Sequence, residues 1–424
     1  MTPLLSNEQG LRRVAIRRRR QGERPTDSCR AVGRSLPWLN KWWQRYPAQP
    51  STDFADYSRA PHSSPHRLPA PVEAASVRVR HLREAHATPT ARYGLIGSRT
   101  IQGEWQRVGI QPLPSEATIQ RVLHRHGLTH PLGANRVSAD YPWPIAWAPA
   151  AMPATDFILR HLSGGIAGQN LHTIDLVSHA LSRSHHPSKS RAVVAAHLLQ
   201  TWRTLGLPVL QQLDNESLFR GGPTPARVLG HVVRLCLWCG IEPLCPPDYE
   251  PKRNHQIETF HRRWRQGFWS KTRFRSVAPV QHDRPLCVHW YHTAYLLPPP
   301  LRQTPAQLRA DFSPFRLSPA LHTLIPAGRL PVTAGYRHFL RKVDPPGHVR
   351  LLNDSWVIGH RWSGLYGRVT IHTAAQRLSV WYQPAANTDG RCLKTFTFRI
   401  NESLHSLHPE FRRNRPRCRD CFPV

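Results

Sequence analysis

The chain reads as a multidomain α+β protein: helical units first, an α/β core with a mixed sheet next, and a small β-barrel last. Three observations predict this. Up to about residue 130, apolar side chains recur at helical spacing, as in Ile119, Val122 and Leu123. Between 153 and 275, short apolar runs alternate with helical stretches, the signature of strands and helices packed in one sheet. Between 325 and 400, apolar and polar residues alternate at period two, with turns at Pro345-Pro-Gly347 and Asp389-Gly390.

Residues 7–46 predict helices over Glu8–Gln21, Pro25–Gly33 and Ser35–Arg45. A helix, a Gly-containing turn and a second helix make the helix-turn-helix pattern. Its last helix sets Asn40, Lys41, Gln44 and Arg45 beside Trp38, Leu39 and Trp42, so a polar group is free to meet DNA while the apolar group packs inward. Residues 47–73, rich in Pro, Ser and Ala, read as a linker. A second helix-turn-helix unit spans 74–130, with helices over Thr100–Arg107 and Pro114–Gly127, Ser115 as N-cap and Gly127 beyond the end. It leaves Gln120, Arg121, His124 and Arg125 outward as DNA-binding candidates. The proline-rich residues 131–152 lead into the core.

The core, 153–275, opens with a strand around Thr155-Asp156-Phe157-Ile158-Leu159. Gly164-Gly165 makes a turn, and Asn170–Val177 is the next strand. A helix over Ser188–Leu205 precedes the apolar run Pro208–Leu213, which ends on Asp214-Asn215-Glu216. Ala226–Cys239 is an amphipathic helix, Ile-Glu-Pro-Leu-Cys a short strand, and Asn254 the N-cap of a helix that carries Glu258 in its first turns. A carboxylate at a strand's end, one on an earlier strand and one on a following helix can meet at a single sheet edge.

This order, carried by Thr155-Asp156-Phe157, Leu213-Asp214-Asn215-Glu216 and Asn254-His-Gln-Ile-Glu258-Thr-Phe260, resembles the catalytic core of the retroviral-integrase superfamily, and more closely the bacterial insertion-sequence transposases that share it. Lesser echoes are Leu205-Gly206-Leu207-Pro208 and Gln303-Thr304-Pro305-Ala306. The resemblance implies an RNase H-like fold with an Asp–Asp–Glu triad, here Asp156, Asp214 and Glu258. It implies a transposase that cleaves transposon ends and joins them to target DNA, working as a homo-oligomer on DNA. It implies two Mg²⁺ ions, with Mn²⁺ as a substitute, because hard oxygen ligands suit them and a metal pair can serve both the attacking and the leaving oxygen. Arg262, Arg263 and Arg265, with His261 on the same helix, become candidates for phosphate contact. Asp175 is the rival to Asp156, expected to be structural and to point into the fold, and Glu216 the rival to Asp214. Three clustered carboxylates should raise at least one pKa. Departures from the family pattern, His255 after Asn254 and Pro153-Ala154 before Asp156, leave open a copy that binds DNA without cleaving it. An RNase H-like nuclease is the other alternative.

Bulk properties agree with a polyanion partner. The formal net charge is +32, from 58 basic and 26 acidic side chains. Most of the base is Arg, so GC-rich coding is a competing cause of the excess. No run approaches a membrane span and no signal peptide opens the chain, so a cytoplasmic, nucleoid-associated protein with reduced cysteines is expected. The pairs Cys236/Cys239 and Cys418/Cys421, and the Cys287-Val-His289-Trp-Tyr-His292 cluster, lack the four-ligand pattern of structural zinc. After the core, 276–320 is a helical and irregular extension, 325–400 a small barrel like the SH3-like domain of integrases, and 401–424 a basic disordered tail.

Overall fold

The computed structural model describes residues 8–46, 54, 68–85, 92–109, 111–129, 146–165, 167–220, 227–248, 255–298, 300–384 and 390–412. The cap Asn254, the Cys418/Cys421 pair and most of the linker lie outside the described residues. The chain divides into two compact units, Met1–Arg67 and Leu68–Val424.

The first unit holds α1 (Glu8–Arg20), α2 (Pro25–Val32) and α3 (Leu36–Arg45). Pro25 starts α2, where its missing N–H costs nothing. Gly33 ends that helix in the left-handed region at φ 64°, a conformation that glycine adopts without strain. The Ser35 hydroxyl then accepts from Trp38 N and opens α3. Ala15, Ile16, Cys29, Val32, Leu39 and Trp42 form the core, and the Arg12 guanidinium lies 3.8 Å from the centre of the Trp42 ring.

The second unit begins with α4 (Ala70–Glu84), α5 (Ser98–Val108) and α6 (Glu116–Arg125). Ser115 caps α6 by accepting from Thr118 N at 3.1 Å. Ile101, Trp105, Ile119 and Leu123 pack the three helices together.

Its centre is a nine-stranded mixed sheet. Strands β1 (Pro153–His161), β2 (Ala167–Asp175) and β3 (Leu181–His186) form an antiparallel meander. Helix α7 (Arg191–Thr204) leads to β4 (Leu210–Leu213), parallel to β1, and α8 (His231–Trp238) leads to β5 (Glu242–Cys245), parallel to β4. The helix predicted from Ala226 begins at His231 because Gly230 is extended at the N-cap. Helices α9 (His255–Gly267) and α10 (Val277–Ala294) complete this region.

Side chains alternate across β1. Phe157 joins Leu171, Leu198, Trp202 and Val232 on the α7–α8 face, while Ala154 joins Ile174, Leu181, Ile257 and Trp264 on the α9–α10 face. Period two therefore sends Asp156 to the α9 face.

The C-terminal strands correct the expectation of a separate barrel. Strand β7 (Tyr336–Lys342) pairs parallel with β5, and β10 (Tyr366–His372), β11 (Arg377–Tyr382) and β12 (Arg391–Thr397) extend the same sheet antiparallel. Between them, β8 (His348–Leu351) and β9 (Asp354–Val357) form a hairpin whose Val349, Leu351 and Trp356 close a third core with Phe339, Val369 and Phe398. The short strands β6 (Val332–Thr333) and β13 (Leu404–His405) pair with each other. The physical reason for the merger is β5 itself. Leu244 and Cys245 are buried, and an open edge there would leave backbone groups without partners, which β7 supplies.

Trp202 is fully buried, and its indole N–H donates to Gln211 Oε1 at 3.4 Å. Trp202→Ala should therefore cost about 3–5 kcal/mol, from lost burial and the cavity left behind. Denaturant unfolding measures this; a loss under about 1 kcal/mol would contradict the packing described.

Candidate active site

Two parallel strands place the first two carboxylates. Thr155 pairs with Leu213 in the β1–β4 register, so the next residues, Asp156 and Asp214, stand side by side where the strands lie about 4.8 Å apart. On its other side, Asp156 is the register partner of His172 on β2.

From the opposite face, a buried polar network holds β1. Thr155 Oγ1 meets Thr173 Oγ1 at 2.6 Å, and Thr173 Oγ1 meets His197 Nε2 at 2.8 Å. Gln211 Nε2 donates to Thr155 Oγ1 at 3.1 Å, tying β4 to β1, and Ser184 Oγ lies 2.8 Å from His197 Nδ1. Burial holds the His197 pKa down to about 3, so the ring stays neutral and can both donate and accept.

Helix α9 packs over β1 and β2 and brings the third carboxylate. Ile257, Phe260, His261 and Trp264 face the sheet, which leaves Glu258 exposed near the start of the helix. His261, one turn further along, puts Nδ1 3.7 Å from Asp156 Oδ2. Behind it, the fully buried His172 ring meets His261 at 5.0 Å and Trp264 edge-on at 4.7 Å.

The electrostatics record the crowding. The Asp156 side chain is 18% exposed, and its pKa is pushed up to about 7 by burial first, then by the charge of Asp214, with Glu216 and Glu258 adding to it. Its Oδ1 accepts from Phe157 N at 2.7 Å, which opposes the rise. Although Glu258 is exposed as a residue, partial desolvation of its carboxyl and the charge of Asp214 raise its pKa, against the pull of Arg262. Burial also drives His261 down to about 4, so this histidine is neutral beside Asp156 at physiological pH.

The three carboxylates therefore share one region of charge. As placed, no three His, Cys, Asp or Glu side chains among the described residues form a ready-made cation cage. The donor set is nonetheless all oxygen, and its mutual repulsion is what a hard divalent cation would relieve, so the residues fit Mg²⁺.

The rival carboxylates are engaged elsewhere. Asp175 is buried, accepting from Ala150 N at 3.0 Å and Ser178 N at 2.9 Å, so it braces the β2–β3 turn. Glu216 is paired with Lys189 at 2.6 Å.

The candidate DNA contacts divide. Asn40, Lys41 and Gln44 are exposed on α3 while Arg45 is half-buried over Trp42, and Asn40 Oδ1 accepts from Arg19 at 3.0 Å. On α6, Gln120, Arg121 and His124 are exposed; Arg125 is exposed too but is paired with Glu73 at 2.8 Å. On α9, Arg262 and Arg265 are exposed, whereas Arg263 is half-buried against the Tyr295 ring at 5.4 Å. His261, expected toward phosphate, is buried against the sheet instead. Its spacing of four from Ile257 and three from Trp264 is the signal for that inward face. Cys236, Cys239 and Cys287 are buried and in no disulfide, and His292 Nε2 accepts from Leu181 N at 2.8 Å.

No family model matches the chain, and no curated protein is matched. Among solved structures, it is similar to the simian T-cell lymphotropic virus intasome in complex with PP2A regulatory subunit B56 gamma, at 14% identity over 71% of this chain and 96% of that one, with a TM-score of 0.33. It is also similar to the HTLV-2 integrase catalytic core domain in complex with magnesium, at 14% identity over 38% and 97% with a TM-score of 0.28. A third is the BIV integrase catalytic core domain, at 16% identity over 38% and 95% with a TM-score of 0.28.

The raised Asp156 pKa gives a pH prediction. Its carboxyl moves from an ordinary 3.8 to about 7 on folding, so between those values the unfolded chain binds fewer protons. Stability of the metal-free protein must then fall as pH rises through this window, by linkage. Unfolding free energies measured across it should decline for the native sequence and stay flatter for Asp156→Asn. Identical slopes would contradict the crowding.

Proposed function

We propose that this chain is a metal-dependent DNA transposase of the integrase type, cleaving transposon ends and joining them to target DNA. The observation that carries the reading is the pairing of Thr155 with Leu213, which sets Asp156 beside Asp214 where β4 ends, on the face covered by the helix that bears Glu258. Asp156, Asp214 and Glu258 would hold Mg²⁺, with Mn²⁺ as a substitute. Bound there, two ions supply the charge that activates the attacking oxygen and stabilises the leaving 3′ oxygen.

The chain's own groups do the rest. The Thr155–Thr173–His197 network keeps Asp156 from drifting along its strand. Neutral His261 backs Asp156 without adding a positive charge that would oppose a cation there. Exposed Arg262 and Arg265 follow Glu258 along α9, where they can grip backbone phosphates. The α1–α3 and α4–α6 groups are read as helix-turn-helix units that select the transposon ends through Asn40, Lys41, Gln44, Gln120, Arg121 and His124, with Arg45 and Arg125 as flanking charges. The net charge of +32 favours DNA over any neutral substrate.

Given Mg²⁺ or Mn²⁺ and DNA carrying the transposon ends, the protein should nick and join strands. Asp214→Asn should reduce this by at least about 10³-fold, a loss of some 4 kcal/mol of transition-state stabilisation, with end binding intact in a gel-shift assay. Equal activity in the variant would remove Asp214 from the mechanism. Activity lost together with binding would point to a folding defect instead.

A further inference from the structure

Strand β7 carries a buried arginine whose guanidinium leaves its own strand for the loop beyond β4. Arg341 is 4% exposed. Its Nη2 donates to Asn215 Oδ1 at 3.0 Å, Nη1 donates to the Pro246 carbonyl at 2.6 Å, and Nε lies 3.4 Å from Asp248 Oδ2. Asn215 closes the ring from the other side, its Nδ2 donating to the Pro246 carbonyl at 2.6 Å and the Pro247 carbonyl at 3.2 Å. Asn215 is the residue after Asp214. The ring therefore joins three segments far apart in the chain: the end of β4, the turn after β5, and β7, which is 126 residues beyond Asn215.

We infer that Arg341 is a positioning residue for Asp214, acting through Asn215 to fix the direction in which the end of β4 presents its carboxylate. This rests on the reading of Asp156, Asp214 and Glu258 as a cation-holding site. The need is physical. Asp214 stands just past the last paired residue of β4, where the strand ladder no longer restrains the backbone. The planar fork of a guanidinium engages acceptors in fixed directions at once; a lysine ammonium, a single point charge, cannot. Groups one step behind a metal ligand set its orientation, and their loss typically weakens binding about 10–100-fold. The sheet extension thus reaches into the candidate site: β7 covers the β5 edge and also holds the loop that carries Asp214.

A role confined to holding β5 against β7 would lower stability and leave cation binding alone. Sensitised Tb³⁺ luminescence on the full-length protein separates the two, run beside denaturant unfolding, with Asp214→Asn as the control that defines the site's signal. Arg341→Ala and Asn215→Ala should each weaken Tb³⁺ binding about 10-fold or more. The double variant should be no worse than the stronger single, because both break one ring. Arg341→Lys should fall between native and Arg341→Ala. If Arg341→Ala does not fold, Asn215→Ala decides, since its half-buried side chain can be removed without emptying a core. Unchanged Tb³⁺ affinity in a folded Asn215→Ala or Arg341→Ala variant overturns this inference and leaves the functional reading standing. An unaltered protein without Asp214-dependent Tb³⁺ binding overturns both.

Discussion

The parallel pairing of β1 with β4 is the constraint on which the candidate site depends, because it puts Asp156 and Asp214 next to each other in a partly desolvated place. Neither strand is free to relieve the repulsion by sliding. A one-residue slip of β1 would turn Asp156 into the α7 core and Phe157 out of it. The hydrophobic pattern and the Thr155–Thr173–Gln211 hydrogen bonds both oppose that slip. The fold thus enforces a juxtaposition of charge that is unfavourable by itself, and the Asp156 pKa is raised by burial first and by this juxtaposition second. Sites that hold such unrelieved charge are candidates for chemistry.

The two faces of the sheet have separate tasks. On the α7–α8 side, Trp202, Leu198 and Val232 supply burial, and His197 sits in the middle as a neutral polar link. On the α9–α10 side, an aromatic layer of Phe260, Trp264, Phe268 and Tyr291 anchors the helix that carries Glu258. Because α9 is held by these rings, Glu258 can remain exposed without the helix losing its place. His172, the register partner of Asp156, is buried beneath that layer and neutral.

Much of this was legible in the sequence. The strand around Asp156, the run ending at Leu213 and the helix carrying Glu258 follow from periodicity, and Ser115 is the cap expected. The period-two stretches near the C-terminus are strands as expected. What periodicity could not reveal was their partner. Alternation identifies a half-buried strand but not which edge it joins, so the pairing of Leu244 with His338 was out of reach and an independent barrel was the simpler expectation. Arg341 was hidden for the same reason, since its acceptors, Asn215 and the Pro246 carbonyl, are 126 and 95 positions away. The inward face of His261 was available from its spacing with Ile257 and Trp264. Arg125 and Arg263 read as free cations because their partners, Glu73 and Tyr295, lie on other elements.

If Asp156, Asp214 and Glu258 hold a cation together, anomalous diffraction from a crystal soaked in Mn²⁺ will locate it among them. Anomalous density should be bounded by these three carboxylates, strengthening toward two peaks about 3.5–4 Å apart when DNA is bound. Manganese elsewhere on the surface, with Asp156 still turned toward His261 and no density between Asp156 and Asp214, would contradict a shared site.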